Sequence, residues 1–272
     1  MGLAMETVVG YLDNTTATGA QALTVVSPQS FSVRATNGTT VAHLVKAWAQ
    51  FQDTGSFRIR SPRLHDDVNG IELYVPTVNC SPLTGPGFDQ ELYSQDTLTV
   101  EGYFTAAPTS GHYSFGAMQI MYDDLPGVAG SYQSWAQIQP QIKSYMGVIV
   151  EPESAGALGV WGSGVALNSY QDVFKANGAY ALLGYITPVV IPAWSILGSD
   201  LGNLYVGGPG SVDPLITRNW FVDLSEATGN PAIPVINSQN KAGTTIQVVG
   251  TATSTTYNMT LLFAYLGQFS GT

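Results

Sequence analysis

The residues able to do chemistry are few in this chain, and their spacing is uninformative. His43, His65 and His112 stand far apart. A zinc site needs three or four converging nitrogen, sulfur or oxygen ligands, and nothing in this spacing predicts one. Cys80 is the only cysteine, so the chain has neither an internal disulfide nor a C-x-x-C pair. Acidic residues cluster at Asp66-Asp67, Asp123-Asp124 and Glu151/Glu153. A glycosidase needs two carboxylates held face to face at a set distance, which proximity in sequence does not supply. These clusters read first as solvated loops. Asp66, Asp67, Asp123 and Asp124 are also the candidates for a structural calcium, since hard cations prefer clustered carboxylates and carbonyls.

Other patterns are equally bare. Gly162-Ser163-Gly164 has the wrong spacing for a nucleophile elbow. Gly207-Gly208-Pro209-Gly210 reads as a loop, and Pro209 removes an N–H that a phosphate cradle would use. Trp161 and Trp194 are the candidates for a sugar platform. Sequons at Asn14, Asn37, Asn79 and Asn258 would matter only in a secreted eukaryotic chain. The expectation is a chain with no catalytic residue and no cofactor.

Charge is sparse and uneven. The 9 basic and 19 acidic side chains give a net charge of -10, and charged residues make up 10% of the 272. No basic arm exists, so direct nucleic-acid binding is not expected. Five basic residues, Arg34, Lys46, Arg58, Arg60 and Arg63, fall within one short stretch. Arg58 and Arg60 share a strand face, because side chains alternate with period two. Arg58, Arg60 and Arg63 are therefore the candidates for contact with acidic loops of a neighbouring subunit. The competing reading is a solvent-facing edge strand protected by its charge.

Apolar residues are an ordinary 44% of the chain, enough for a sizeable core. A surface so poor in charge is unusual for a free monomer. The N-terminus has no basic n-region, so no secretory signal is expected. The uncharged stretch Ala176–Ser199 is broken by Pro188 and Pro192 and reads as two strands rather than one spanning helix.

The elements that must position these residues are mostly strands. Ser30–Ala35, Ser56–Ser61, Gly70–Val75, Thr97–Thr105 and Thr244–Ala252 have the patterns of short strands. Asn37-Gly38, Asn69-Gly70 and Asn177-Gly178 mark turns. Two short helices are expected. One lies within Ser131–Ile142 with Ser131 as its cap; the other is Thr217–Thr228, capped by Thr217 and stopped at Gly229. Gly- and Pro-rich segments Pro76–Asp89 and Gly207–Pro214 are expected to be exposed or contact-making loops.

An internal repeat organises the whole. Shifted by about 140 residues, Met5–Gly38 lies over Tyr145–Gly178, with Val8-Val9 on Val148-Ile149 and Asn37-Gly38 on Asn177-Gly178. Gly70–Val75 lies over Gly202–Val206, and Tyr113–Tyr122 over Tyr257–Leu266. Val41–Phe51, ambiguous by local propensity, aligns with strand-like Ala179–Pro188 and is assigned as a strand. The fold class is thus all-β, with two tandem antiparallel eight-stranded jelly-roll sandwiches and a few short helices. The expected domains are 1–125 and 145–272, joined by a linker at 126–144 that holds a short helix.

Carried by the paired Asn-Gly turns and the paired final strands, this architecture resembles the double-jelly-roll major capsid proteins of tailless, membrane-containing icosahedral bacteriophages. The resemblance implies a homotrimeric, pseudo-hexagonal capsomer. It further implies neighbouring capsomers and minor or penton proteins as partners, an internal membrane, assembly in the host cytoplasm and a place in the virion. Another virion component (tail, baseplate or receptor-binding β-protein) is the main alternative reading, followed by a carbohydrate-active β-sandwich. A single jelly roll with one large insertion would abolish the repeat.

Overall fold

The computed structural model describes residues 3–37, 42–64, 68, 70–76, 89–211, 213–251 and 253–269. The first half builds β1 (Ala4–Asp13), β2 (Gly19–Ala22), β3 (Thr24–Val25), β4 (Ala42–Phe51), β5 (Gly55–Arg60), β6 (Ile71–Val75), β7 (Gln90–Leu92), β8 (Thr99–Phe104) and β9 (Tyr113–Tyr122). The second builds β10 (Tyr132–Gln133), β11 (Ser144–Val150), β12 (Val165–Ala166), β13 (Gly178–Ile186), β14 (Ile191–Leu197), β15 (Val206–Gly210), β16 (Ile233–Asn237), β17 (Thr245–Val248) and β18 (Met259–Gln268). Helices α1 (Trp135–Ile138), α2 (Pro214–Thr217) and α3 (Trp220–Thr228) are short.

The strands form four antiparallel sheets. The first half holds β3-β1-β9-β4-β7 and β2-β8-β5-β6; the second holds β10-β16-β13-β18-β11 and β12-β17-β14-β15. With β3 and β10 set aside, end strands that have no counterpart in the other half, eight described strands remain in each half. Counted along each half, they fall in the same order, 1-8-3-6 in one sheet and 2-7-4-5 in the other. The third strands even share a defect. The register slips between Leu44 and Lys46 in β4 and between Leu182 and Gly184 in β13, as a β-bulge in each would produce.

Pairing also corrects the alignment. Val8 lies opposite Met118, and Val148 opposite Leu261, and all four are buried in the cores. The final strands therefore match one residue away from the register of the sequence repeat, a slip that exchanges their faces. Similarly, Ile59 lies opposite Ile71 and Ile196 opposite Val206. Ile71, rather than Val75, is the counterpart of Val206, and Gly202–Tyr205 precedes its strand.

Local chemistry explains most elements. In β5, Phe57 and Ile59 are fully buried while Arg58 and Arg60 point outward. β4 shows no such alternation because it is buried along nearly its whole length. A strand covered on both faces lacks the period-two pattern, so only the repeat, and not local propensity, marked this segment as a strand. The Ala176–Ser199 stretch divides into β13 and β14, and no helix among the described residues is long and apolar enough to cross a membrane.

Three expectations fail. Ser30–Ala35 is not a ladder strand: only Ser32 bridges to Thr97, supported by bonds from Val33 N to Asp96 O (2.7 Å) and Leu98 N to Phe31 O (3.0 Å). α1 is capped by Ser134, not Ser131, through a reciprocal capping box with Gln137. Ser131 is engaged elsewhere, donating to Asp200 O and accepting from Val235 N. Thr217 ends α2 rather than capping α3, which starts after Asn219 and stops, as expected, at Gly229 with φ 72°.

Candidate functional site at the junction of the two halves

One face of the β1-β9-β4 sheet covers the core of its own half, and the other meets the second half. Thr7 lies opposite Gln119, and Gln119 opposite Lys46, so three polar side chains form a row on this outward face. Each finds a partner across the junction. Thr7 Oγ1 donates to Gly207 O (3.3 Å) and accepts from Gly207 N (3.0 Å). Gln119 Nε2 donates to the same carbonyl at 3.3 Å, and Lys46 Nζ donates to Trp220 O at 2.9 Å. Thr7 N adds a bond to Tyr205 O at 2.6 Å. Around this row, Met5, Val9, Val45, Trp48 and Met121 merge with the apolar core of the second half. Thr7 and Gln119 are fully buried and Lys46 is 3% exposed, so the junction is a core rather than a surface contact.

Lys46 is an exceptional group here. Burial pushes its amine down to about 7, and Asp223 only partly opposes this. The Asp223 carboxyl is in turn pushed up by burial, against the pull of Lys46 and Arg218. The ammonium form is held by the Trp220 carbonyl and by the Trp220 ring, whose centroid lies 3.6 Å from Nζ. Sequence placed Lys46 within a basic stretch but gave no sign that it faces inward.

The glycine-rich segment 207–210 is not a loop. It forms β15, the last strand of its sheet, where a proline costs no ladder bond on the inner side. A Cβ at Gly207 would fall 1.9 Å from Trp194 O, so only glycine fits. Its contacts are made within the chain, to Thr7 and Gln119.

The three candidate arginines all have partners in the chain. Arg58 Nη2 lies 3.1 Å from Glu72 Oε2, and its guanidinium stacks 3.7 Å over Tyr103. Arg60 grips Glu101 with a fork, Nε to Oε2 at 3.0 Å and Nη2 to Oε1 at 2.6 Å. Arg63 pairs with Glu91 at 3.2 Å and stacks 3.5 Å over Tyr93. Arg58 and Arg60 do share one outward face, as their spacing required.

The acidic candidates scatter. Asp66, Asp67, His65 and Cys80 lie outside the described residues. Asp123 Oδ2 sits 3.6 Å from His43 Nε2, and Asp124 accepts from Asn37 Nδ2 at 2.9 Å. Among the described residues, no three His, Cys, Asp or Glu side chains gather as a metal site would require. Glu153 accepts from Ser254 at 2.7 Å. Trp194 is fully buried and Trp161 stacks on Tyr205 with centroids 5.2 Å apart, so the two tryptophans form no open platform.

Sequence missed a buried polar cluster at Asn14. This residue, 3% exposed, donates to Asp53 at 2.8 Å and accepts from Ser114 at 2.9 Å, so the sequon there is internal. Burial pushes the Asp53 carboxyl up, but donors from Asn14, Thr109 and His112 outweigh it and hold the carboxyl low.

On the second half, the equivalent face is open over β11 and β18, while on β13 Gly184 is buried against the backbone carbonyls of Thr217 and Arg218. Its hollow of about 460 Å³ is lined by Tyr145, Gly147, Leu183, Arg218 and Leu262 among others. Tyr145 is 67% exposed there, beside Ile149 at 39%.

No known protein family and no curated protein matches the chain. Among solved structures it is similar to the PBSX exported protein XepA at 9% identity and TM-score 0.22, covering 93% of this chain and 88% of that one. A chain of the Sulfolobus Turreted Icosahedral Virus is 12% identical at TM-score 0.22, over 96% of this chain and 61% of that chain. PNGF-II is 8% identical at TM-score 0.24, over 98% and 66%. Likenesses this weak carry no argument about fold or function.

Proposed function

We propose that the chain is a structural virion protein, a major capsid protein whose two halves are jelly rolls. The carrying observation is the shared strand order of the halves, 1-8-3-6 facing 2-7-4-5, which is the order of a jelly-roll sandwich. The core-like junction favours a fixed pair of sandwiches over two independently moving modules. The apolar open face and the sparse charge of the chain suit a subunit buried among neighbours. In this reading three copies form a pseudo-hexagonal capsomer of six jelly rolls. Capsomers tile an icosahedral shell with minor and penton proteins, over an internal membrane that separates shell from genome. No residue is catalytic, and the protein resides in the virion.

The test is light scattering behind size exclusion on the purified chain, followed by negative-stain microscopy. A species of three times 28.8 kDa with a hexagonal outline supports the reading. A stable monomer with no tendency to assemble overturns it.

A further inference from the structure

The junction between the halves is a template for a second junction, one made with another molecule. Within the chain, the outward face of β1-β9-β4 meets β15, the end strand of the other half's smaller sheet. Because the halves share their strand order, each interface element has a counterpart. The row Thr7, Gln119, Lys46 corresponds to Gly147, Leu262, Gly184 on β11, β18 and β13. The end strand β15 corresponds to β6, with Glu72 in the place of Gly207 and Tyr74 in that of Pro209.

The counterparts differ in size in a compensating way. Inside the chain, side chains Thr7 and Gln119 approach a strand that has none at Gly207. On the open face Gly147 has no side chain, which leaves the hollow of about 460 Å³, and β6 carries Glu72 and Tyr74 instead. Tyr74 is 66% exposed, on the same outward face as Glu72 and Arg58. Arg218 lines the hollow, and on β6 the Glu72–Arg58 pair stands beside Tyr74. A small-to-large exchange on both sides is what a second interface of the same geometry requires.

We propose that the outward face of β11-β18 docks the β6 end of a second copy of this chain, with Glu72 over Gly147 and Leu262 and Tyr74 seated beside it at the hollow. The contact is head-to-tail, so each copy offers one face and one end, and repetition closes a ring. This inference rests on the proposed trimer for its closure, and the capsomer reading does not depend on it.

The experiment uses the full chain, with Tyr74→Asp and Tyr145→Asp as variants. Both residues are strongly exposed, and thermal unfolding checks that each variant is folded. If the wild type is trimeric, each variant alone should be monomeric, with association weakened about 30-fold or more. An equimolar mixture should form dimers but no rings, since Tyr145→Asp retains a good β6 end and Tyr74→Asp retains a good hollow. As an independent readout, p-benzoylphenylalanine at position 74 should crosslink to residues 145–147 or 262 of another copy. Trimeric variants, or crosslinks confined to other surfaces, overturn the docking assignment and leave the trimer standing. A monomeric wild type overturns both.

Discussion

Trp48 and Trp220 meet edge to face across the junction, with ring centroids 5.6 Å apart and planes at 88°. The Trp48 indole also donates to Pro192 O at 3.0 Å, so one side chain ties β4 to the second half by both packing and a hydrogen bond. Such aromatic pairs add about 0.5–1.5 kcal/mol beyond the area they bury.

Trp48→Ala should therefore cost about 3–5 kcal/mol, the range for removing a large core aromatic. Thermal unfolding reads this directly. At about 2–4 °C per kcal/mol for a chain of this size, the midpoint should fall by about 6 °C or more. A shift below 2 °C would show that the junction contributes little to folding.

Stability should depend on pH through Lys46. Its folded amine titrates at about 7 and its ordinary value is 10.5. Between these values the unfolded chain binds a proton that the folded chain does not, so stability rises with pH across that window. Below about 7 the folded chain carries the charge and the burial penalty applies in full. Lys46→Met should remove this slope and raise stability near pH 6 by about 1–4 kcal/mol. Denaturant unfolding of both proteins at pH 6 and pH 9 tests the sign. An unchanged pH slope in the variant would show that Lys46 is not the group responsible.

Thr7 serves both backbone groups of Gly207. Thr7→Val keeps the shape but leaves the buried Gly207 N–H without a partner, while its carbonyl keeps Gln119, at a cost of about 1–3 kcal/mol. Thr7→Ser, which keeps the hydroxyl, should cost less than half as much. Faster amide exchange at Gly207 in Thr7→Val, but not in Thr7→Ser, would identify the hydrogen bond as the cause.

Arg60 and Glu101 form a fork that is only a quarter exposed on the arginine side. A double-mutant cycle of Arg60→Gln and Glu101→Gln should show a coupling energy of about 0.5–3 kcal/mol, weakening in high salt. Reversing both charges on this face, Arg58→Glu with Arg60→Glu, breaks this pair and the Arg58–Glu72 pair together. That double variant strikes partners inside the first half, so lost assembly would first have to be separated from lost folding.

Particular residues show where the sequence was legible. The alternation Phe57, Arg58, Ile59, Arg60 determined a strand and the face of each side chain, because period two is a local property of the extended backbone. Gly229 determined where α3 stops, since a left-handed residue closes a helix whatever surrounds it. The repeat of Val8-Val9 on Val148-Ile149 determined that the two halves are alike. None of these needs a distant partner.

Tertiary structure decided the rest. The sequence offered Gly207–Gly210 as an exposed loop and named no partner within the chain for Arg58, Arg60 or Arg63. The fold makes the first a buried edge strand and gives each arginine a carboxylate from its own chain. Lys46 and Arg58 are both cations on strands, yet one is buried under Trp220 and the other lies over Tyr103 at the outer face. Composition and spacing carry a side chain's type and its direction from the strand. Whether that direction meets water or another sheet depends on how the two halves stack, and that is set by contacts between residues more than a hundred positions apart.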